Sequence, residues 1–219
     1  MTVVLSSADV TLRPWEAGDA TALLALADDE ELRRWTSHRV ADRDDALRWI
    51  AAEAAGWETR ERLGFAVLAQ GRVAGHVVLK RPGGVGAVAQ IGYWTGAPAR
   101  GLGLASRAVG MLTAWAFDTD EGEGLTRLEL IHNAGNPASC RVAEKAGYAL
   151  EAVLPPRPPR PLEGHLHVRE RGAVPSPLPG LPQGFSGGLR RMVGVDGHGQ
   201  DGEIAAVGGA DRDGLVVSS

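Results

Sequence analysis

The chain has little cysteine, few aromatic residues and no surplus of positive charge. Cys140 stands alone among 219 residues, so no disulfide can form within the chain, and the reading is of a reducing compartment with the cytoplasm as default. Lys and Arg number 23 against 27 Asp and Glu, a formal net charge of -4. That balance gives no general electrostatic reason to seek phosphate backbones or anionic membranes, so neither nucleic acid nor a membrane is an expected partner. Long hydrophobic runs are missing too. The opening MTVVLSSADV lacks a basic stretch, and its apolar run is too short for a signal peptide or a spanning helix. Aromatic residues make up 5% of the chain. Trp35, Trp49 and Trp57 fall at helical positions and read as core, or as the rim of an acceptor pocket, rather than as a platform for bases.

What is present points to one folded unit. The length suits a single core with appendages. We read residues 1–9 as an N-terminal extension, 10–171 as the domain and 172–219 as a tail that does not pack. About a quarter of the tail is Gly, against an average usage near 7%. Its apolar groups are too short to offset chain entropy. Within the domain, VTLRP (10–14) alternates like a short strand, and 17–27 and 42–57 carry apolar residues at helical spacing. GFAVLA, a Gln-Gly turn and VAGHVVL read as a hairpin, and VAQIGYW (88–94) extends it to an antiparallel meander. A helix over 102–117 follows, then a strand at 125–131, a helix at 137–146 and strands at 148–154 and 165–169, with the stiff PPRPPRP segment between the last two. The fold class is α+β: a mixed, largely antiparallel sheet of about seven strands flanked by helices.

Chemistry concentrates at Arg100-Gly101-Leu102-Gly103-Leu104-Ala105, between a strand and a helix. Unpaired backbone N–H groups at a helix start attract an anion, and glycine leaves room for a pyrophosphate. The Arg100 fork suits phosphate, although its backbone can matter equally. Alone, the two glycines read equally well as a plain strand-to-helix turn. A dinucleotide fold wants such a turn after the first strand of a βαβ unit with an acidic residue about 20 positions on; here it follows a meander, and Asp118, Asp120 and Glu121 lie in a loop. His165 and His167 share one face of a strand as metal ligands do, but no third ligand accompanies them in sequence, so no metal is expected.

Taken together, IGYWTGAPARGLGLASRAV and LTRLELIHNAGNPASCRVAEKAGYAL resemble the GNAT acetyltransferase superfamily. LRPW and HNAGNPAS resemble its ribosomal-protein N-terminal acetyltransferase subgroup, typified by RimJ and RimL. The resemblance spans about 10–171. It implies that acetyl-CoA is the donor and a primary amine, on a peptide or a small molecule, the acceptor. It implies that Arg100 to Ala105 binds the pyrophosphate, and that Gly92, Tyr93, Trp94 and Thr95 pair with pantetheine as an added strand, with the cofactor in a V-shaped opening after Trp94. A backbone N–H there stabilises the oxyanion. Asn136 contacts pantetheine, or simply caps the helix, and Ser139 lies near the leaving sulfur. The family's Tyr acid falls on Ala143, which leaves Ser139 as its replacement. Glu129 is the candidate general base; a solvated strand glutamate is the equal alternative. Cys140 reads as a small hydrophobe. The rival functions are a non-catalytic acyl-CoA sensor and a nicotinamide-dependent oxidoreductase.

Overall fold

Period-2 and period-3.6 patterns settle into strands and helices close to where they are legible. The computed structural model describes residues 3–35, 40–119, 124–156 and 162–172. The tail beyond Gly172, the PPRPPRP segment from Arg157 onward, and Asp120 and Glu121 lie outside the described residues. The strands are β1 (Leu5–Ser7), β2 (Val10–Pro14), β3 (Arg62–Ala69), β4 (Arg72–Lys80), β5 (Val88–Thr95), β6 (Arg127–Asn133), β7 (Ala149–Leu154) and β8 (Gly164–Glu170). The helices are α1 (Ala20–Ala27), α2 (Glu30–Trp35), α3 (Arg43–Thr59), α4 (Leu104–Asp118) and α5 (Pro137–Lys145). The sheet has eight strands in the order β1-β2-β3-β4-β5-β6-β8-β7, one more than expected. The additional strand is β1, whose three residues, LSS, hold a single buried side chain and give alternation nothing to act on.

Local chemistry fixes the connections. Gln70 and Gly71 both adopt positive φ (50° and 76°), which makes the two-residue turn between β3 and β4 match the twist of its strands. Asp42 caps α3, its carboxylate accepting from the Asp45 N–H at 2.7 Å. Two packed layers cover the sheet. On one face α4 buries Leu104, Ala108, Leu112 and Trp115 against Leu12, Leu79 and Ile91. On the other, Trp15, Leu23, Ile50 and Trp94 form a second cluster beneath α1 and α3.

Every neighbouring pair of strands is antiparallel except β5 and β6, which α4 joins as a parallel crossover. That pair is short: Val88, Ala89 and Gln90 face Arg127, Leu128 and Glu129, and pairing then stops. Past that point β5 stays on β4 as far as Thr95, and β6 stays on β8 as far as Asn133. Each strand is held on its outer side only, so their inner edges part. The opening begins four residues before the expected place after Trp94.

Candidate active site

The loop after β5 presents its backbone to the opening. A short 3-10 turn at Ala97–Ala99 leads into Gly101 (φ 76°) and Gly103 (φ 71°), both in the left-handed region that disfavours any side chain. A Cβ at either glycine would meet nothing within 4 Å, so the space in front of them is open. Gly103 is the N-cap of the 15-residue α4, and no side chain caps this helix start. The Leu104, Ala105 and Ser106 N–H groups therefore lack intrahelical partners at the positive end of a helix dipole. Leu104 is buried and anchors the first turn, whereas Leu102 is exposed. A cleft of about 190 Å³ runs over this turn, lined by Thr95, Arg100, Gly101, Gly103, Ala105 and, from α5, Arg141 and Lys145.

The cations in this cleft differ from those expected. The Arg100 fork turns back to α2, donating to Glu31 Oε2 at 3.0 Å and to the Asp29 carboxylate. Both terminal nitrogens of Arg100 are thus engaged by carboxylates, although the residue still lines the cleft. Arg141 and Lys145, four residues apart on one face of α5, supply the positive charge. Sequence reasoning missed them, although their i,i+4 spacing after Asn136-Pro137 is a usable signal.

Asn136 and Ser139 sit where the split opens. Asn136 Oδ1 accepts from the Ser139 N–H at 3.3 Å and Pro137 takes the first helical position, so the capping role is realised. The Ser139 side chain is fully buried, and its Oγ accepts a hydrogen bond from the Tyr93 hydroxyl at 3.1 Å. This bond spans from β5 to α5. Ala143 is also fully buried and carries no acid.

Glu129 lies apart from that end. It shares a sheet face with Trp94, but its register partner is Gln90. Gln90 stands four residues before Trp94 on β5, which at roughly 3.3 Å per residue sets Glu129 about 13 Å along the strand direction from Trp94. Its Oε1 accepts from Arg127 Nε at 3.1 Å, and the same guanidinium binds Glu151 and Glu170. These carboxylates raise the Arg127 pKa, Glu151 foremost. At the level of Trp94 stands His76 instead, buried between Trp15, Trp49 and Trp94. Trp15 Nε1 donates to His76 Nδ1 at 2.9 Å, so a neutral ring carries its proton on Nε2. A small apolar recess beside it is lined by Leu23, Leu32, Val40, Trp49 and Trp94, with Arg33 at its edge. Trp49 thus lies at the rim of a recess, whereas Trp57 is core, packed on Phe65 and Trp115.

One expectation about β8 is overturned. His165 and His167 do have further ligand-type neighbours: His132 from β6 and Cys140 from α5, with one nitrogen or sulfur of each residue within 4.8 Å of the others. Cys140 Sγ faces the imidazoles of His132 and His165.

A family model described as an acetyltransferase (GNAT) domain matches residues 9–149. No curated protein matches the chain. Among solved structures, a putative ribosomal-protein-serine acetyltransferase from Vibrio cholerae is 24% identical, with 76% of this chain and 97% of that one covered at a TM-score of 0.66. RimJ from Mycobacterium smegmatis, in complex with a CoA-disulfide, is 20% identical over 80% of this chain and 88% of that one, also at 0.66. The microcin C7 self-immunity acetyltransferase MccE, solved with acetyl-CoA and AMP, is 19% identical over 75% and 93% at 0.67. These likenesses show the fold, and the family match, which spans both the split strands and the glycine loop, shows that the chain belongs to the GNAT acetyltransferase family.

Proposed function

We propose that the protein transfers an acetyl group from acetyl-CoA directly to a primary amine, with the α-amine of a peptide as the first acceptor class. The observation that carries this reading is the parting of β5 from β6 beside an uncapped, glycine-led helix start. Pantetheine lies along the freed edge at Gly92 to Thr95 as an added strand. Its pyrophosphate meets the first turn of α4, with Arg141 and Lys145 across the cleft. The amine nitrogen attacks the thioester carbonyl, a β5 N–H holds the oxyanion, and collapse breaks the C–S bond. Because Tyr93 donates to Ser139 Oγ, the Ser139 hydroxyl keeps its own proton to give, and this pair returns a proton to the leaving thiolate. The amine's own proton leaves through water, since Glu129 is too distant along β6 for direct contact. A peptide acceptor is favoured by the relatives' chemistry, including a RimL described as a ribosomal L7/L12 α-N-protein acetyltransferase, and by the apolar recess at Trp94, which suits a first side chain. Among the described residues no helix is long and apolar enough to cross a membrane, and a reducing cytoplasm suits CoA chemistry.

The test is release of CoA thiol across peptides of varied first residue, aminoglycosides and polyamines. Turnover with peptides supports the reading. Turnover only with small amines replaces the acceptor class, and acetyl-CoA binding without turnover on any amine makes the protein an acyl-CoA sensor.

A further inference from the structure

Three elements that carry no other shared chemistry converge at one point behind the cap of α5. His132 comes from β6, Cys140 from α5, and His165 and His167 from β8. Cys140 Sγ lies 3.5 Å from His132 Nε2 and 3.2 Å from His165 Nδ1. Around a tetrahedral zinc-class ion, with metal–nitrogen bonds of about 2.0–2.1 Å and a metal–sulfur bond of about 2.3 Å, ligand atoms stand roughly 3.3–3.6 Å apart. The two sulfur contacts are already near that spacing. The wider pairs, up to 4.8 Å, close by rotation of imidazoles about their side-chain bonds.

The hydrogen bonding supports this independently. His132 Nδ1 is 2.8 Å from the Asn133 carbonyl, which can only accept. The ring therefore carries its proton on Nδ1 and turns a bare Nε2 toward Cys140, the arrangement by which an outer carbonyl orients a metal-bound histidine. His167 is fully buried, and neither of its nitrogens has a hydrogen-bond partner of normal geometry. A thiol between two imidazoles can satisfy those two, by one S–H donated and one N–H received. It leaves His167 orphaned in the interior, where an unpaired polar group is destabilising. The ring planes of His132 and His167 lie 25° apart with centroids at 5.2 Å, so both face one volume.

We propose that His132, Cys140, His165 and His167 form a structural site for one divalent transition ion of the zinc class, tying α5 to β6 and β8. Four protein ligands close the coordination sphere, which suits a structural rather than a catalytic ion. Three imidazoles and a thiolate select a borderline ion over magnesium or calcium, which take oxygen. Loading releases the Cys140 proton to solvent as the thiolate binds. Cys140 and His165 are half-buried and give the ion its path in. The neighbours of Cys140 in sequence, Asn136 and Ser139, are thereby held at the opening of the split sheet.

The test uses the full chain, stripped with a chelator, and titrated with Co²⁺ and Zn²⁺ alone. One Co²⁺ per chain is expected to bind with intense visible bands of a four-coordinate ion and a thiolate-to-cobalt charge-transfer band. Zn²⁺ displaces it and raises Tm, and Mg²⁺ does neither. In Cys140→Ser the charge-transfer band disappears and affinity falls by at least about tenfold; His167→Asn lowers affinity similarly while circular dichroism stays unchanged. Binding far below one ion per chain in the wild type, six-coordinate bands, or a charge-transfer band that survives Cys140→Ser would each overturn the site. None of these readouts involves acetyl transfer, so their failure leaves the proposed activity standing.

Discussion

At the scale of single residues, the decisive question is which charged groups are already engaged. Glu129 is bound by Arg127 and lies about 13 Å along β6 from the level of Trp94. Glu129→Gln is therefore expected to change CoA release by no more than about threefold, where loss of a true general base would lower it by roughly 10²–10⁴-fold. A loss in the larger range, with normal acetyl-CoA affinity, would restore Glu129 as the base. Arg100 and Arg141 should separate in the opposite way to their appearance in sequence. Arg141→Ala and Lys145→Ala are each expected to weaken acetyl-CoA binding by roughly tenfold in calorimetry, since each removes one charged partner of phosphate. Arg100→Ala should leave that affinity near wild type and lower Tm instead, because it removes the cationic partner of the Asp29 carboxylate, whose side chain is 10% exposed and keeps only the Glu31 and Leu32 N–H groups. The Arg100 assignment was illegible for a physical reason: its partners Asp29 and Glu31 are about 70 positions away, and only the packing of α2 against the loop brings them in.

At the scale of elements, what was legible is what is locally encoded. The Asn136-Pro137 cap, the Gln70-Gly71 turn and the glycine pair at 101 and 103 each depend on backbone conformations set within a few residues, and each lies where its sequence placed it. The long helices α3 and α4 were legible by the same logic, since one apolar stripe specifies each. What the pattern did not carry is pairing between distant segments. Nothing in VAQIGYWT or RLELIHN marks the point after Gln90 where the two strands part, because separation depends on outer partners, β4 and β8. The three-residue β1 and the His132–Cys140 convergence were hidden similarly. The glycine loop provides an element-level test. Gly103→Ala forces an L side chain to φ 71°, which costs about 1–2 kcal/mol, and the strain is relieved only by reorienting the first turn of α4. Lower Tm and weaker acetyl-CoA binding are expected together. A variant that loses Tm but binds acetyl-CoA at wild-type affinity would show that the first-turn amides are not its phosphate site.

At the scale of the whole molecule, one face of the sheet carries a buried charged group that the proposed chemistry does not use, and it should govern how stability varies with pH. Glu53 of α3 is 3% exposed and lies over β3 and β4, where Arg62 Nε donates to its Oε1 at 2.7 Å. Lys80 faces the same cluster from β4. Burial holds its ammonium down to about 7, with Arg62 acting in the same direction and Glu53 opposing. Glu53 is pushed up by the same burial against the pull of Arg62 and Lys80. Below about pH 7 the folded and unfolded chains both carry the Lys80 proton, and the desolvation penalty on the charged form is felt in full. Between about 7 and the ordinary value of 10.5 the unfolded chain binds a proton that the folded chain has released, so unfolding free energy rises with pH. Glu53, shifted upward, acts in the opposite sense, losing its contribution as pH rises through its folded value. Lys80→Met keeps Glu53 in place, so the difference between variant and wild type reads the lysine. Lys80→Met keeps the aliphatic stem and removes the buried charge, so at pH 7 it should be more stable than the wild type by a few kcal/mol in urea denaturation. That advantage should shrink steadily as pH approaches 10, where the wild type no longer carries the penalty. A difference between the two proteins that is constant from pH 7 to 10, or that grows with pH, would mean that Lys80 stays charged in the folded protein and that Glu53 compensates it fully.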